Sequence, residues 1–166
     1  KVDYAIETTP LGTGGGLLLS WEKLRSSEPF LILNGDTFFN INRTEILNYH
    51  SSNAADMTLS LFEVPQNSRY SPALLDENGF ICSLEKRPKN FESNWANGGV
   101  YLMEPNLLNE YQNYPPKKYS LEDELLPDLL KKKKRIAGFI SRGDFIDIGL
   151  PEDYRRAEEI LSRSHN

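Results

Sequence analysis

The hydrophobic pattern alternates between strand-like and helix-like segments along most of the chain. Apolar residues alternate with polar ones at 2–6, and continuous apolar runs at 30–33 and 57–62 are typical of strands buried on both faces. Further strands are predicted at 95–103, 136–140 and 145–148, and helices at 17–24, 43–50, 120–130 and 151–161. Strands that alternate with helices indicate an α/β domain with a mostly parallel sheet.

A hairpin signal interrupts this alternation. Asn78-Gly79 lies between the apolar pieces 73–75 and 80–84, and Asn-Gly in such a position predicts a tight β-hairpin. An inserted hairpin makes the sheet mixed. With 166 residues, of which 39% are hydrophobic, the chain suits one domain over 1–166.

Charge and composition narrow the function. The chain has 19 basic and 24 acidic residues, which disfavours general binding of nucleic acid. Its apolar runs are far too short to span a membrane, and residues 1–4 do not resemble a signal peptide. The single cysteine, Cys82, cannot form an internal disulfide, so a cytoplasmic location is expected. Cys82 itself is expected to be a small buried residue rather than a catalytic thiol.

A glycine-rich stretch at 10–16 is predicted to be a loop before a helix. Such a loop lets a ligand approach backbone N–H groups at the positive end of the helix, although it could equally be a plain helix cap. A dinucleotide fingerprint spaced from Gly12 and Gly14 would need a glycine where Leu17 stands, and the Gly-Lys-Ser/Thr of a P-loop does not occur. The two readings stay open on the residues alone.

Two aspartates stand where a strand gives way to glycine. Asp36 follows the run at 30–33 as Asn34-Gly35-Asp36, and Asp147 interrupts the apolar strand at 145–148, which Gly149 follows. Ligands of open α/β sheets bind beyond the carboxyl ends of the strands, and Mg²⁺ takes one or two carboxylates together with phosphate oxygens. The pattern favours a Mg²⁺ site over a helix-capping turn.

Three other polar segments are more ambiguous. Glu85-Lys86 could bind a phosphorylated sugar but by itself is better explained as a charged turn before proline. Asn97-Gly98-Gly99 could offer an amide to a sugar hydroxyl or simply form a β-bulge. The basic run 131–135 is expected to be a solvated helix end rather than a phosphate patch. The two histidines, His50 and His165, have no Cys/His cluster or nucleophile elbow around them.

Taken in order, these motifs resemble the sugar-1-phosphate nucleotidyltransferase family, over nearly the whole chain. The matching segments are 10–15, 33–36, 84–86, 97–101 and 145–154. Residues 34–39 together with 145–154 look most similar to D-glycero-D-manno-heptose 1-phosphate guanylyltransferases. The resemblance implies a Rossmann-like fold, with a mixed, mostly parallel sheet flanked by helices.

The resemblance also implies residue roles. Asp36 and Asp147 would hold Mg²⁺ and, with Lys86, form the catalytic group. The nucleotide would lie against Leu11, Gly12, Thr13 and Gly14. The sugar phosphate would contact Glu85, Lys86, Asn97 and Gly98. An oxygen of the sugar 1-phosphate would attack the α-phosphorus of an NTP, with GTP favoured, and pyrophosphate would leave. Dimers are common in this family, so a homodimer is a further expectation.

One family feature has no match. The family begins with a strand, a Gly-x-Gly-Thr-Arg loop that grips the triphosphate, and a Lys-Pro pair, and none of these occurs here. The expectation is a domain that lacks its N-terminal strand and phosphate loop and is inactive as this stretch alone. A non-catalytic binding module is one alternative. A metal-dependent glycosyltransferase is another, although the Asp-x-Asp pair usual in that class is not present at Asn34-Gly35-Asp36.

Overall fold

A four-stranded mixed sheet forms the centre of the molecule. The computed structural model describes residues 2–24, 27–65, 70, 72–84, 93–111, 118–149 and 151–163. The strands are β1 (Phe30–Leu33), β3 (Met57–Glu63), β6 (Trp95–Met103) and β7 (Ile136–Ile140), in the order β1-β6-β3-β7. β3 and β7 are parallel, and β6 runs antiparallel to both of its neighbours. Three strands therefore share one direction, as predicted, and β6 opposes them.

Among the described residues, two short strand pairs and four α-helices accompany this sheet. The pairs are β2 (Thr37–Phe39) with β8 (Phe145–Asp147) and β4 (Leu74–Leu75) with β5 (Ile81–Ser83), both antiparallel. The helices are α1 (Gly12–Ser20), α2 (Arg43–Ser52), α3 (Leu126–Lys131) and α4 (Pro151–Arg163). Short irregular turns of helix lie at Trp21–Lys23, Pro105–Tyr111 and Leu121–Leu125. In the part of the chain that the structure describes, no helix is long and apolar enough to cross a membrane.

Local sequence explains where the helices begin. The Asn42 side chain accepts hydrogen bonds from Thr44 N (3.0 Å) and Glu45 N (3.3 Å), which caps α2. Ser120 Oγ accepts from Asp123 N at 3.0 Å and caps the turn that leads into α3. At the other end of α3, Lys132 Nζ lies 2.9 Å from Asp128 Oδ2, in agreement with a basic helix end rather than a phosphate patch.

The core lies on both faces of the sheet. Six of the seven residues of β3 are buried, as its continuous apolar pattern predicts. The largest cluster joins β3 and β6 to leucines of the α3 region, with Tyr101, Leu125 and Leu129 fully buried. Burial of this apolar surface supplies most of the driving force for folding.

Two sequence predictions about strands are wrong. Residues 2–6 are not a strand, and Val2, Tyr4 and Ile6 are 73%, 73% and 81% exposed. Alternation alone cannot make a strand, because the backbone also needs a neighbouring strand, and none pairs with 2–6 among the described residues. β1 forms as predicted but is not buried on both faces. Leu33 is 65% exposed because β1 is at the end of the described sheet.

The hairpin prediction is confirmed, and the burial predicted for Cys82 is wrong. β4 and β5 pair across the turn that contains Asn78 and Gly79. Cys82 is exposed, and its Sγ contacts Leu74 O at 3.3 Å. Successive residues of a strand point to opposite faces, and the neighbouring Ile81 takes the buried position.

Candidate active site

A pocket of about 320 Å³ opens where β1 and β3 end and β6 begins. Its lining includes Asn34, Asp36, Asn97, Glu122 and Asp147. The size lies at the lower end of the range of about 300–1,000 Å³ for small-molecule sites. Carboxylates and amides converge in it, so the pocket suits a small, strongly polar ligand.

The two predicted aspartates lie side by side in this pocket. β2 and β8 pair so that Thr37 is opposite Asp147, and Ile148 N donates a hydrogen bond to Asp36 O at 2.9 Å. A Cβ placed on Gly149 would be 3.0 Å from Asp147 Oδ1 and 4.0 Å from Asp36 Oδ2. Residues more than a hundred positions apart are thus joined at one strand end.

The chemistry of this pair fits a divalent cation. Asp147 Oδ1 accepts the Gly149 N–H at 3.0 Å, which orients that carboxylate, whereas Asp36 is exposed to solvent. Within the described ranges, no group of three or more His, Cys, Asp or Glu side chains could hold a metal. Two carboxylates with space for phosphate oxygens and water match the preference of Mg²⁺.

The predicted sugar-binding segment is a bulge in β6. The register with β3 shifts between Leu59 and Leu61, and Gly99 adopts φ +73°. Any side chain at Gly98 would meet the Phe39 ring at 2.4 Å. The two glycines are therefore explained by strand geometry. Asn97 and Gly99 both line the pocket, and Asn97 is the one of the two that brings a polar side chain to it.

Asn97 belongs to a hydrogen-bonded chain of side chains. Its Oδ1 accepts the Gly99 N–H at 3.0 Å, and its Nδ2 donates to the Tyr101 hydroxyl at 2.7 Å. Tyr101 is completely buried, and its hydroxyl donates to Glu122 Oε1 at 3.0 Å. Burial, and then the nearby Glu122 carboxylate, raise the pKa of Tyr101 far above its usual value, so the hydroxyl keeps its proton.

The glycine-rich segment differs from its prediction. It is not a loop through residue 16, since α1 already begins at Gly12. Gly15 N donates to Tyr119 O at 3.0 Å, and Tyr119 N donates to Leu11 O at 2.7 Å. A Cβ on Gly12 would lie 2.8 Å from Tyr119 O. These glycines therefore allow α1 to pack closely on the backbone at 119–121.

Thr13 connects this segment to the pocket. Its Oγ1 donates to Glu122 Oε2 at 2.9 Å and accepts the Leu121 N–H at 2.8 Å. The described lining contains none of Leu11, Gly12, Thr13 and Gly14 themselves, so their contact with a nucleotide stays a prediction. Glu85 and Lys86 fall outside the described residues.

Sequence reasoning missed the role of Glu122. The pattern of three acids at 122–124 is typical of the positive end of a helix, and Asp123 N does donate to Ser120 Oγ, the cap of that helix. Glu122 instead lines the pocket and accepts hydrogen bonds from the hydroxyls of Thr13 and Tyr101. No local signal separates it from its neighbours, because both of its partners are distant in sequence.

Comparison with known families decides where the chain belongs. A family model described as "Nucleotidyl transferase" matches residues 1–164. The chain is a member of the nucleotidyl transferase family. The resemblance drawn from five motifs is thereby confirmed.

Among curated members of the nucleotidyl transferase family, two guanylyltransferases illustrate the relationship. The D-glycero-alpha-D-manno-heptose 1-phosphate guanylyltransferase of Aneurinibacillus thermoaerophilus is 36% identical over 97% of this chain and 67% of its own. The "Probable mannose-1-phosphate guanylyltransferase 3" of Arabidopsis thaliana is 33% identical over 99% of this chain and 49% of its own. The chain spans less than half the length of the mannose-1-phosphate relatives.

Solved structures agree with the α/β nucleotidyl transferase fold. HddC from Yersinia pseudotuberculosis superimposes with a TM-score of 0.77, at 31% identity, over 96% of this chain and 66% of its own. A second HddC structure, complexed with GMP-PN, superimposes with a TM-score of 0.76. A glucose-1-phosphate thymidylyltransferase described as putative, from Bacillus anthracis, also gives 0.76, but at 18% identity it supports the fold alone.

Proposed function

We propose that the protein transfers a guanylyl group from GTP to a sugar 1-phosphate, a heptose or mannose derivative, and releases pyrophosphate. The observation that carries this proposal is the meeting of Asp36 and Asp147 at the pocket. The names of the relatives support the choice of nucleotide and sugar class, and the GMP-PN complex of HddC supports a guanine nucleotide.

The proposed reaction needs no protein nucleophile. An oxygen of the sugar 1-phosphate attacks the α-phosphorus of GTP in line, and the bond between the α- and β-phosphates breaks as pyrophosphate leaves. Asp36 and Asp147 would hold Mg²⁺ through their carboxylate oxygens. When bound, the ion supplies neutralisation of phosphate charge and fixes the phosphate orientation.

The remaining residues would position the substrates. Asn97 lines the pocket with its amide fixed by the Gly99 N–H, so it can hold a sugar in a defined orientation. Lys86 and Glu85 keep their proposed contacts with the sugar phosphate and its hydroxyls. The segment 11–14 keeps its proposed place beside the base and ribose. The cytoplasmic location and the homodimer also stay predictions.

Pyrophosphate release tests the proposal directly. The natural protein that carries this sequence would be assayed with GTP, ATP, CTP, UTP and dTTP. Each would be paired with D-glycero-α-D-manno-heptose 1-phosphate, mannose 1-phosphate and glucose 1-phosphate. We expect Mg²⁺-dependent release that is fastest with GTP and one of the two manno-configured sugars. Absence of release from every pair, in protein shown to be folded, would contradict the proposal.

A further inference from the structure

We propose that Glu122 is a specificity-determining residue that accepts a hydrogen bond from a hydroxyl group of the sugar. This inference rests on the proposed function, because it concerns the sugar half of the same pocket. It assigns a role to a side chain that none of the recognised motifs contains. Two properties of the Glu122 carboxylate support this role: other residues fix its position, and it has hydrogen-bonding capacity left for a ligand.

Both oxygens of the Glu122 carboxylate are anchored by residues from other parts of the fold. Oε1 accepts from the Tyr101 hydroxyl at 3.0 Å, and Oε2 accepts from Thr13 Oγ1 at 2.9 Å. Tyr101 lies on β6 and Thr13 on α1, so the carboxylate is fixed against two separate elements. A side chain held in this way presents its remaining lone pairs at a defined place in the pocket.

The anchoring bonds leave capacity for a ligand. An ionised carboxylate has about four acceptor sites, two on each oxygen. Tyr101 and Thr13 take one each, and Ser120 Oγ lies at the limit of hydrogen bonding, 3.5 Å from Oε2. At least one site is thus left over from the contacts with described residues, and a hydroxyl donor in the pocket is its natural partner.

Asn97, Tyr101 and Glu122 form one wall of the pocket, and the direction of their hydrogen bonds makes Glu122 the main acceptor among them. The Gly99 N–H can only donate, so it fixes Asn97 Oδ1 as its acceptor and turns Nδ2 toward Tyr101. The Tyr101 hydroxyl has one hydrogen and gives it to Glu122. Asn97 Oδ1 and the Tyr101 oxygen are uncharged acceptors, so they attract a donor from the ligand less strongly than the Glu122 carboxylate does. The wall offers Glu122 as acceptor and the second Asn97 N–H as donor, and sugar hydroxyls can satisfy both.

Deoxy sugars provide the test. Dissociation constants would be measured by calorimetry for the natural protein and for Glu122→Gln. The ligands would be mannose 1-phosphate, or the heptose 1-phosphate if that binds more tightly, and its 2-, 3-, 4- and 6-deoxy analogues. For the natural protein we expect one analogue to bind about 10- to 100-fold more weakly than the parent sugar, the value of a hydrogen bond to a charged group. We call this ratio of dissociation constants, deoxy analogue over parent sugar, the penalty. In Glu122→Gln the penalty for that one analogue should fall by about tenfold, because a neutral amide accepts a hydrogen bond more weakly than a carboxylate does.

Two further variants distinguish a direct contact between Glu122 and the sugar from a purely structural role of Glu122. Thr13→Val removes one anchor but keeps the carboxylate, so it should weaken all the sugars together and preserve the selective penalty. Glu158→Gln, on the exposed side of α4, makes the same chemical change at a residue that does not line the pocket and should leave every constant unchanged. If Glu122→Gln weakened all analogues by one common factor, Glu122 would be structural and the inference would be overturned.

These measurements test the role of Glu122 and the transferase function separately. A natural protein that binds the sugar phosphate and shows the Glu122-dependent penalty, but releases no pyrophosphate, would contradict only the transferase assignment. A natural protein that releases pyrophosphate while Glu122→Gln keeps every penalty at its original size would contradict only the role of Glu122. Absence of sugar phosphate binding to the natural protein would overturn both.

Discussion

The two sides of the pocket are built in different ways. One side, the aspartate pair of Asp36 and Asp147, is placed by backbone pairing between β2 and β8. The other side, the tyrosine network of Asn97, Tyr101, Glu122 and Thr13, is placed by side chains that bond one another. Asp36 is exposed, whereas Tyr101 is fully buried.

Because of this difference, we expect the aspartate pair to matter for function and the tyrosine network to matter for both function and stability. Neither carboxylate of the pair is buried, so both lose little hydration, contribute little to stability and are available to a cation. A buried tyrosine hydroxyl must keep its partners, because an unsatisfied buried polar group costs about 1–3 kcal/mol. Substitutions in the aspartate pair should therefore affect turnover alone, and substitutions in the tyrosine network should affect turnover and stability together.

The largest effect is expected for Asp147→Asn. Asparagine keeps an oxygen that can accept the hydrogen bond from the Gly149 N–H, but it loses the charge that would hold Mg²⁺. Loss of about 4 kcal/mol of charge stabilisation corresponds to about a thousandfold slower pyrophosphate release. The thermal unfolding midpoint should hardly change. Release within tenfold of the natural rate would contradict the metal assignment.

Tyr101→Phe should have the next largest effect. It leaves the Asn97 amide and Glu122 Oε1 each without a hydrogen-bond partner in the network. We expect a loss of about 1–3 kcal/mol in the free energy of unfolding, measured with urea. The KM for the sugar 1-phosphate should rise more than the KM for GTP. An equal rise in both would argue that the network does not belong to the sugar side.

Thr13→Val should have a smaller effect than Tyr101→Phe. It removes one anchor of Glu122 and the acceptor for the Leu121 N–H while preserving the shape of the side chain. Glu122 keeps its second anchor, the Tyr101 hydroxyl, so we expect a loss of about 0.5–1.5 kcal/mol, or roughly a two- to tenfold weaker affinity for the sugar 1-phosphate. Calorimetry would measure this value, and an affinity equal to that of the natural protein would show that the tether is dispensable.

Tyr111→Phe provides the matched control and the smallest effect on the pocket. Tyr111 is also buried, and its hydroxyl also donates to a carboxylate, that of Asp128, but it is not among the residues that line the pocket. We expect about 1 kcal/mol of lost stability and unchanged KM values. A change in KM for the sugar would mean that the effect of Tyr101→Phe is not specific to the pocket.

The sequence predicted the features that depend on local pattern. The sequence indicated the buried strand β3, the hairpin, and the strand ends that carry Asp36 and Asp147. Buried strands produce a periodic or continuous apolar pattern, and turns and strand ends are marked by glycine. The start of α1 was not readable. Glycines are poor helix formers, and only packing on the 119–121 backbone makes them helical here.

The features that were missed depend on contacts between distant residues. The alternation at 2–6 suggested a strand but could not reveal whether a partner strand lies beside it. The exposure of Cys82 depends on which face of a two-stranded hairpin packs inward. Glu122 could not be distinguished from Asp123 and Glu124, because its partner Thr13 is 109 residues away.

The position of Tyr101 affects how this pocket could evolve. Its ring is part of the main core, and its hydroxyl bonds to Glu122 in the wall that we assign to the sugar, so a substitution that alters recognition there should also weaken the fold. Glu122 is only half-buried, at the first turn of a short helix, and can change at a smaller cost in stability. A lineage with little stability to spare would therefore change its sugar preference at residue 122 before residue 101.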